Sequence, residues 1–183
     1  MNPRNAAPAT TAMTNTANTL GASRTDALMR ANRSLTRTAP SAKPAPAKPA
    51  PLPSIAGLSS TQVKMADAIV KEGVHMGVSR RGRIIAMATA LQESNLKNYT
   101  HAVDHDSLGL FQQRPSSGWG TPKQLTNPTY AAHAFYRVLV HYKGSWGCLT
   151  CAAQRVQRSA FPSAYAKHER FATKIVDILD KRY

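Results

Sequence analysis

The uneven distribution of large apolar side chains divides this 183-residue chain into two parts that cannot fold in the same way. Residues 1–53 contain no Phe, Tyr, Trp, Val or Ile, and every aromatic side chain comes after them. A segment of this composition buries too little apolar surface to offset the conformational entropy that ordering costs. We therefore predict that residues 1–53 are a disordered basic tail, which ends in a semi-extended Pro-Ala-Lys linker over residues 39–53.

The other part, residues 58–183, is long enough to fold as one domain around its own core. Apolar residues at helical spacing predict helices that begin at Ser59, Ser79, Asn127, Thr150 and Ser163. Residues 97–114 have no helical period, and they predict a loop with a small hairpin. The expected fold class is therefore mainly α (α+β), a compact helical domain with one small, irregular β/loop excursion.

The charge of the chain is strongly positive, with a formal net value of +15. Residues 1–53 contribute +6 and the remainder contributes +9, so both parts are basic. Basic proteins are drawn to polyanions such as nucleic acid, anionic lipid or bacterial wall polymers. Charge does not choose among these partners, and a solvated basic surface gives the same composition. We expect polyanion contact through the basic tail.

Neither a membrane span nor a secretory signal is visible in the sequence. No stretch approaches the ~20 apolar residues that a membrane-spanning helix needs. The first residues also lack the apolar centre of a secretory signal peptide. We therefore expect no membrane span, and delivery to the site of action in a virion or by non-classical export.

Two motifs stand close together in the folded part. They are LQESNL at positions 91–96 and SLGLFQQ at positions 107–113, with Glu93 and Gly109 sixteen residues apart. The pair resembles the lysozyme-like superfamily, in particular the soluble lytic transglycosylases and goose-type lysozymes. In that family a Glu-Ser pair ends a helix, and a Gly-Leu-aromatic-or-Met-Gln turn follows. The resemblance covers roughly residues 58–180, and it implies a lysozyme-like fold that cleaves the MurNAc-β-1,4-GlcNAc bond of peptidoglycan.

A third motif of that family, Ala-Tyr-Asn on a later helix, diverges in this chain. The favoured equivalent is RVQ at positions 155–157, which places Gln157 where the family has Asn, because a trailing family Tyr then falls near Tyr165. The alternative equivalent is AYA at positions 164–166. The resemblance implies that Glu93 is the catalytic acid. The substrate-binding residues that it implies are Ser94, Gly109, Gln112, Gln157 and Tyr165.

The chemistry of glycoside cleavage makes the surroundings of Glu93 important. The leaving oxygen must receive a proton as an oxocarbenium-like centre forms. A carboxyl group holds that proton near neutral pH only when its pKa is raised. The turn before Glu93 is almost entirely apolar, so desolvation is expected to raise the pKa of Glu93. Without the motifs, a solvated surface Glu would be the ordinary interpretation.

The other site residues each have a structural alternative. Gln112 can hydrogen-bond a sugar, or it can stabilise its own turn. Ser94 can contact substrate, or it can bond the helix backbone. Gly109 permits close backbone approach to a ligand. Trp119 lies in the Gly-rich segment at positions 116–120, and we expect it to line a cleft.

Asp104 and Asp106 are secondary catalytic candidates. An Asp in the equivalent loop of goose-type lysozymes positions water. Lytic transglycosylases need no such group, because the substrate's own 6-hydroxyl attacks and leaves a 1,6-anhydro end. This second mode is slightly favoured. The alternative for both residues is that each carboxylate bonds its own loop backbone.

Metal or cofactor chemistry is not expected. The His and Asp residues at positions 101–106 are adjacent in sequence, whereas zinc sites prefer separated, convergent ligands. Cys148 and Cys151 form a C-x-x-C pair with no second cysteine pair and no βαβ context. A local disulfide is favoured over two free thiols.

Three functions remain open at this level. The first is a peptidoglycan-degrading glycosidase, a lytic transglycosylase or muramidase, that acts on glycan strands and is borne by a bacteriophage or an envelope machine. The alternative is a non-catalytic glycan-binding or structural protein of a virion or envelope complex. Nucleic-acid binding through the tail ranks last, because no reading helix or RNA-binding motif is present.

Overall fold

The structure is a computed structural model, and it describes residues 50–102, 105–158 and 163–183. These ranges belong to a unit that spans Lys48–Tyr183. The predicted tail, up to residue 49, and the candidate Asp104 lie outside the described residues.

The described part of the chain is mainly helical, as predicted. Its α-helices are α1 (Ser60–His75), α2 (Arg80–Ser94), α3 (Pro122–Leu125), α4 (Pro128–Leu139), α5 (Leu149–Gln157) and α6 (Glu169–Leu179). Short 3-10 segments cover Pro115–Ser117, Val140–Ser145, Ala166–His168 and Asp180–Arg182. Within the described ranges there is no β-strand. The β content of the excursion consists of two isolated antiparallel bridges, Tyr99 to Gly109 and Leu108 to Gln113.

Two predicted helix starts are confirmed by their caps. The Ser59 side chain accepts from the Gln62 backbone N–H, and the Gln62 side chain accepts from the Ser59 N–H. This reciprocal capping box begins α1. The Asn127 side chain accepts from the N–H groups of Thr129 and Tyr130, which begins α4. In both places a polar side chain satisfies N–H groups that lack a partner within the helix.

Two other predicted starts are wrong. The cap of α5 is Cys148, whose Sγ accepts from the Cys151 N–H, so Thr150 lies inside the first turn. The last helix begins at Glu169, because residues 163–168 form a turn and a 3-10 segment in place of the helix predicted from Ser163. This segment brings Tyr165 into the core with no exposed surface. The requirement to bury that ring competes with helix continuation.

The central helix of the domain is α2. It contacts α1, α4, α5 and α6, and residues 84–91 are all buried. A helix that is apolar on every side is stable only inside a core. Because α2 runs through the middle of the domain, the candidate site residues at its C-terminal end are held by neighbours on several sides. The core extends to Ile55, which is only 3% exposed and lies three residues before the predicted start of the domain.

The described ranges were also compared with two sequence expectations, the membrane span and the cysteine pair. None of the helices there has the length and the apolar content that crossing a bilayer would require. Cys148 and Cys151 are joined by a disulfide bond.

Candidate active site

Glu93 lies in the last turn of α2, where the helix stops abruptly. Asn95 adopts a left-handed conformation with φ of 52°, and its N–H bonds back to the carbonyls of Ala90 and Leu91. Asn tolerates this conformation better than most residues, so it ends the helix there. Leu96 follows at a φ of 58° although it is fully buried. The backbone therefore turns sharply directly after Glu93.

A groove of about 920 Å³ opens beside Glu93. Its walls come from the end of α2, the loop over residues 107–119, the last turn of α4, and α5. This volume is near the upper end of the range found for small-molecule sites. The groove is large enough for an oligosaccharide segment.

The Glu93 carboxyl is held by two side chains that come from different parts of the chain. The Tyr165 hydroxyl donates to Glu93 Oε1 at 2.7 Å. The Gln157 side chain also hydrogen-bonds the Glu93 carboxyl, and Gln157 Nε2 donates to the Phe111 carbonyl at 2.7 Å. Glu93 itself is half-buried, whereas Tyr165 is fully buried. The carboxyl is thus fixed in position while part of it still faces the groove.

The electrostatics of this position shift Glu93 towards its protonated form. Burial raises the pKa of Glu93 above its usual value, and the hydrogen bonds from Tyr165 and then Gln157 lower it by less. The location in the last turn of α2 acts in the same direction as burial, because helix C-termini carry partial negative charge. The direction is the one predicted from the apolar turn that precedes Glu93.

Ser94 and Gln112 both make backbone contacts, which are the structural alternatives to substrate binding. Ser94 Oγ lies 2.7 Å from the Leu110 carbonyl and 3.0 Å from the Ala90 carbonyl, and Ser94 is only 4% exposed. It ties the loop to α2 and does not line the groove. Gln112 Nε2 donates to the Gly109 carbonyl at 3.0 Å within its own turn, and Gln112 also lines the groove.

The close approach at Gly109 involves protein and not the open groove. Its φ is +72°, and a Cβ added there would lie 2.1 Å from the Leu125 carbonyl oxygen. Only glycine fits this position, since it needs both a left-handed backbone and the absence of a side chain. Gly109 therefore packs the excursion against α3, and it positions the residues that follow.

Of the remaining predicted residues, Trp119 borders the groove and Asp106 lies in a loop outside it. Trp119 lines the groove and is half-buried, as expected for a side chain that borders a cleft. Asp106 Oδ2 accepts from the Ser116 N–H at 2.8 Å, and this bond lowers the pKa of Asp106. Asp106 does not line the groove. Within the described residues, Glu93 is the only carboxylate that does.

Sequence reasoning missed the basic wall of the groove. Four arginines line it: Arg114, Arg137, Arg155 and Arg158. Arg155 and Arg158 flank Gln157, so their spacing around the third motif was a usable signal. Nothing in the sequence indicates that Arg137, on α4, faces the same space.

No group of three potential metal ligands comes together among the residues that the structure describes.

Comparison with known proteins does not place the chain in a family. The chain matches no protein-family model and no curated protein.

Proposed function

We propose that this protein is a peptidoglycan-degrading glycosidase that cleaves the MurNAc-β-1,4-GlcNAc bond with Glu93 as its acid, in the manner of a lytic transglycosylase. The observation that supports this most directly is the state of Glu93. Its carboxyl has a raised pKa, is held by Tyr165 and Gln157, and borders a groove of oligosaccharide size. A fixed carboxyl whose protonated form is favoured by burial, beside a ligand-sized space, suits general acid catalysis.

The proposed reaction needs only one carboxyl group. Protonated Glu93 donates its proton to the glycosidic oxygen as the bond between that oxygen and C1 of MurNAc breaks. The resulting Glu93 carboxylate then takes the proton from the C6 hydroxyl of the same MurNAc. The C6 oxygen forms a bond to C1, which gives a 1,6-anhydro end and restores the acid. No external nucleophile is consumed.

Within residues 50–102, 105–158 and 163–183, Glu93 is the one carboxylate that lines the groove, and this arrangement supports the one-carboxyl mode over hydrolysis. Hydrolytic glycosidases ordinarily use a pair of carboxyl groups on either side of the scissile bond. Among the described residues, Glu93 alone fills that role, and Asp106 is engaged with the Ser116 backbone. A substrate that supplies its own 6-hydroxyl removes the need for the second group.

The third motif gives further support to the family interpretation. With residues 155–157 as the equivalent of Ala-Tyr-Asn, the resemblance places both Gln157 and Tyr165 at the site. Both side chains bond the same carboxyl, that of Glu93, although eight residues separate them. The backbone adds an independent sign of a functional site. Gln112, which lines the groove and does not end a helix, adopts a positive φ of 48°, and non-glycine residues in this region cluster at active sites.

The experiment is digestion of purified sacculi, with released muropeptides identified by mass spectrometry. We expect the wild-type protein to release products with 1,6-anhydro ends. Glu93→Gln is expected to reduce the rate by about 10²–10⁴-fold, the usual contribution of a general acid. Glu169→Gln serves as the matched control, because Glu169 pairs with Arg81 and lies outside the groove.

Three outcomes would decide against the proposal in different ways. Equal release by the wild type and Glu93→Gln would exclude Glu93 as the acid. Reducing ends in place of anhydro ends would assign a muramidase. Glycan binding with no release by any variant would assign the non-catalytic alternative.

A further inference from the structure

The acidic and basic side chains of the domain are distributed unevenly. On the side formed by α2 and α6, arginines are matched by carboxylates: Arg80 with Asp177, Arg81 with Glu169 and Arg83 with Asp180. The groove is different. Within the described ranges, Arg137, Arg155 and Arg158 form no ion pair with a carboxylate, although all three line it. We call these three residues the arginine strip.

The arginine strip occupies one wall of the groove. Arg137 is in the last turn of α4, Arg155 is in the last turn of α5, and Arg158 caps the end of α5. Like charges placed together without counter-charges repel one another, so such an arrangement is unfavourable unless a ligand supplies the opposite charge. Glu93 is the only carboxylate among the described residues that line the groove, and one carboxylate cannot neutralise three guanidinium groups.

One contact of the strip goes beyond a solvated basic surface. The Arg155 guanidinium lies over the Tyr142 ring, 5.7 Å from its centroid, and Tyr142 also lines the groove. This contact restrains a side chain that is otherwise flexible. Arg158 has a φ of 52°, a conformation that disfavours residues with a Cβ. This conformation is a common way to end a helix, and it places Arg158 at the end of α5 on the groove wall.

We infer that the arginine strip binds the carboxylates of peptide substituents on the glycan, so that the substrate class is stem-bearing glycan and not bare polysaccharide. The inference rests on the proposed function. A muramic residue carries its lactyl ether and peptide next to the bond that Glu93 would cleave. Guanidinium groups match carboxylates with two parallel hydrogen bonds, which fixes both register and orientation.

A nucleic acid fits this wall less well. Proteins that bind single strands combine basic grooves with a series of aromatic faces on which bases stack. The groove offers Trp119 and Tyr142, and Arg155 already covers the ring of Tyr142. Charge alone would attract both polymers, so competition by DNA is included as an outcome of the test.

The test measures binding without turnover, with the full-length Glu93→Gln protein. Its ligands are soluble glycan strands with free stem carboxyls, the same strands with those carboxyls methylamidated, and chitotetraose as a neutral glycan. We expect free-carboxyl strands to bind at least tenfold more tightly than methylamidated strands, with an advantage that falls as salt increases. Chitotetraose should bind like the blocked strands.

Substitution of the strip provides the second arm. In the same background, Arg155→Gln/Arg158→Gln should lower affinity for free-carboxyl strands to the level of the blocked strands, and leave binding of the blocked strands unchanged. Arg170→Gln/Lys174→Gln on α6 is the matched control, since it removes two surface cations outside the groove. All four side chains belong to exposed or half-exposed residues, and thermal unfolding verifies that each variant is folded.

The outcomes separate this inference from the proposed function. Equal binding of free and blocked strands would overturn the inference even if sacculi are cleaved. Single-stranded DNA that competes as well as free-carboxyl strands would also overturn it, and would assign the strip to nucleic acid. Carboxyl-dependent binding by a protein that releases no muropeptides would instead refute the glycosidase proposal and leave the ligand assignment standing.

Discussion

The hydroxyl group of Tyr165 offers a direct way to change the pKa of Glu93. It donates to Glu93 Oε1 at 2.7 Å, and this bond favours the ionised carboxyl. Tyr165→Phe removes the bond and keeps the ring that fills the core. We expect the pKa of Glu93 to rise further in this variant, because burial then acts with less opposition.

The size of the effect follows from the contact. Hydrogen bonds to charged groups contribute about 1.5–3 kcal/mol, and a contact of this length belongs to the charge-assisted class. Glu93 is only half-buried, so water can replace part of the lost bond, and we expect the lower end of that range. A difference of about 1.4 kcal/mol changes an ionisation equilibrium tenfold. On the alkaline side of the pH profile, activity relative to the acid plateau should increase by up to roughly tenfold.

The assay is the rate of muropeptide release as a function of pH. An acid catalyst loses activity as pH rises through its pKa, so the alkaline limb of the Tyr165→Phe profile should move to higher pH. Tyr136→Phe is the matched control. Its hydroxyl is also fully buried and donates to the Ile69 carbonyl at 3.0 Å, away from Glu93. Both variants should lose stability, but only Tyr165→Phe should shift the limb. A limb that stays in place or moves to lower pH would refute the reasoning.

Three further predictions concern stability. The pKa of Glu93 in the folded protein lies above its ordinary value of 4.5, so the folded state binds more protons than the unfolded state between 4.5 and the folded-state pKa. The free energy of unfolding therefore falls as pH rises through this window. In thermal unfolding, Glu93→Gln should gain stability relative to wild type as pH rises, and parallel curves for the two proteins would contradict this. Gly109→Ala should cost about 2–5 kcal/mol in chemical denaturation, from backbone strain plus the clash with the Leu125 carbonyl. Gly77→Ala is the comparison, because Gly77 has a φ of +65° and open space around it, and it should cost only about 1–2 kcal/mol. Equal losses of stability in the two variants would show that the clash at Gly109 does not contribute. Reduction of the Cys148–Cys151 bond should lower stability by no more than about 2 kcal/mol, because the loop it closes is only a few residues long, and a larger loss in denaturation under reducing conditions would show a wider role.

Local chemistry made several parts of the fold predictable. The caps at Ser59 and Asn127 depend on residues within one turn, and both were visible in the sequence. The start of α6 was not, because Ser163 has the chemistry of a cap. Long-range burial of Tyr165 decides that segment, and burial against a distant helix leaves no local pattern.

Some features of the candidate site could likewise be predicted from local sequence, and others could not. Glu93 and its raised pKa could be predicted from an apolar turn and two motifs. The role of Gly109 could not, because the atom it must avoid belongs to Leu125, sixteen residues away. The arginine strip was also missed. Its members come from α4 and α5, and only the packing of those helices brings them to one wall.

The contacts around Glu93 hold a half-buried carboxyl in an arrangement that suits the proposed catalysis. A carboxyl at the end of a central helix is costly when ionised, and a free rotamer would let it turn towards water. Gln157 on α5 and Tyr165 before α6 hold it in the groove from two directions, while Ser94 fastens the loop to α2 directly beside it. In the proposed reaction these bonds would stabilise the anion that forms when the proton leaves, whereas burial favours the protonated form before the reaction. Removing the bonds should therefore change the pH at which the protein acts before it abolishes the activity.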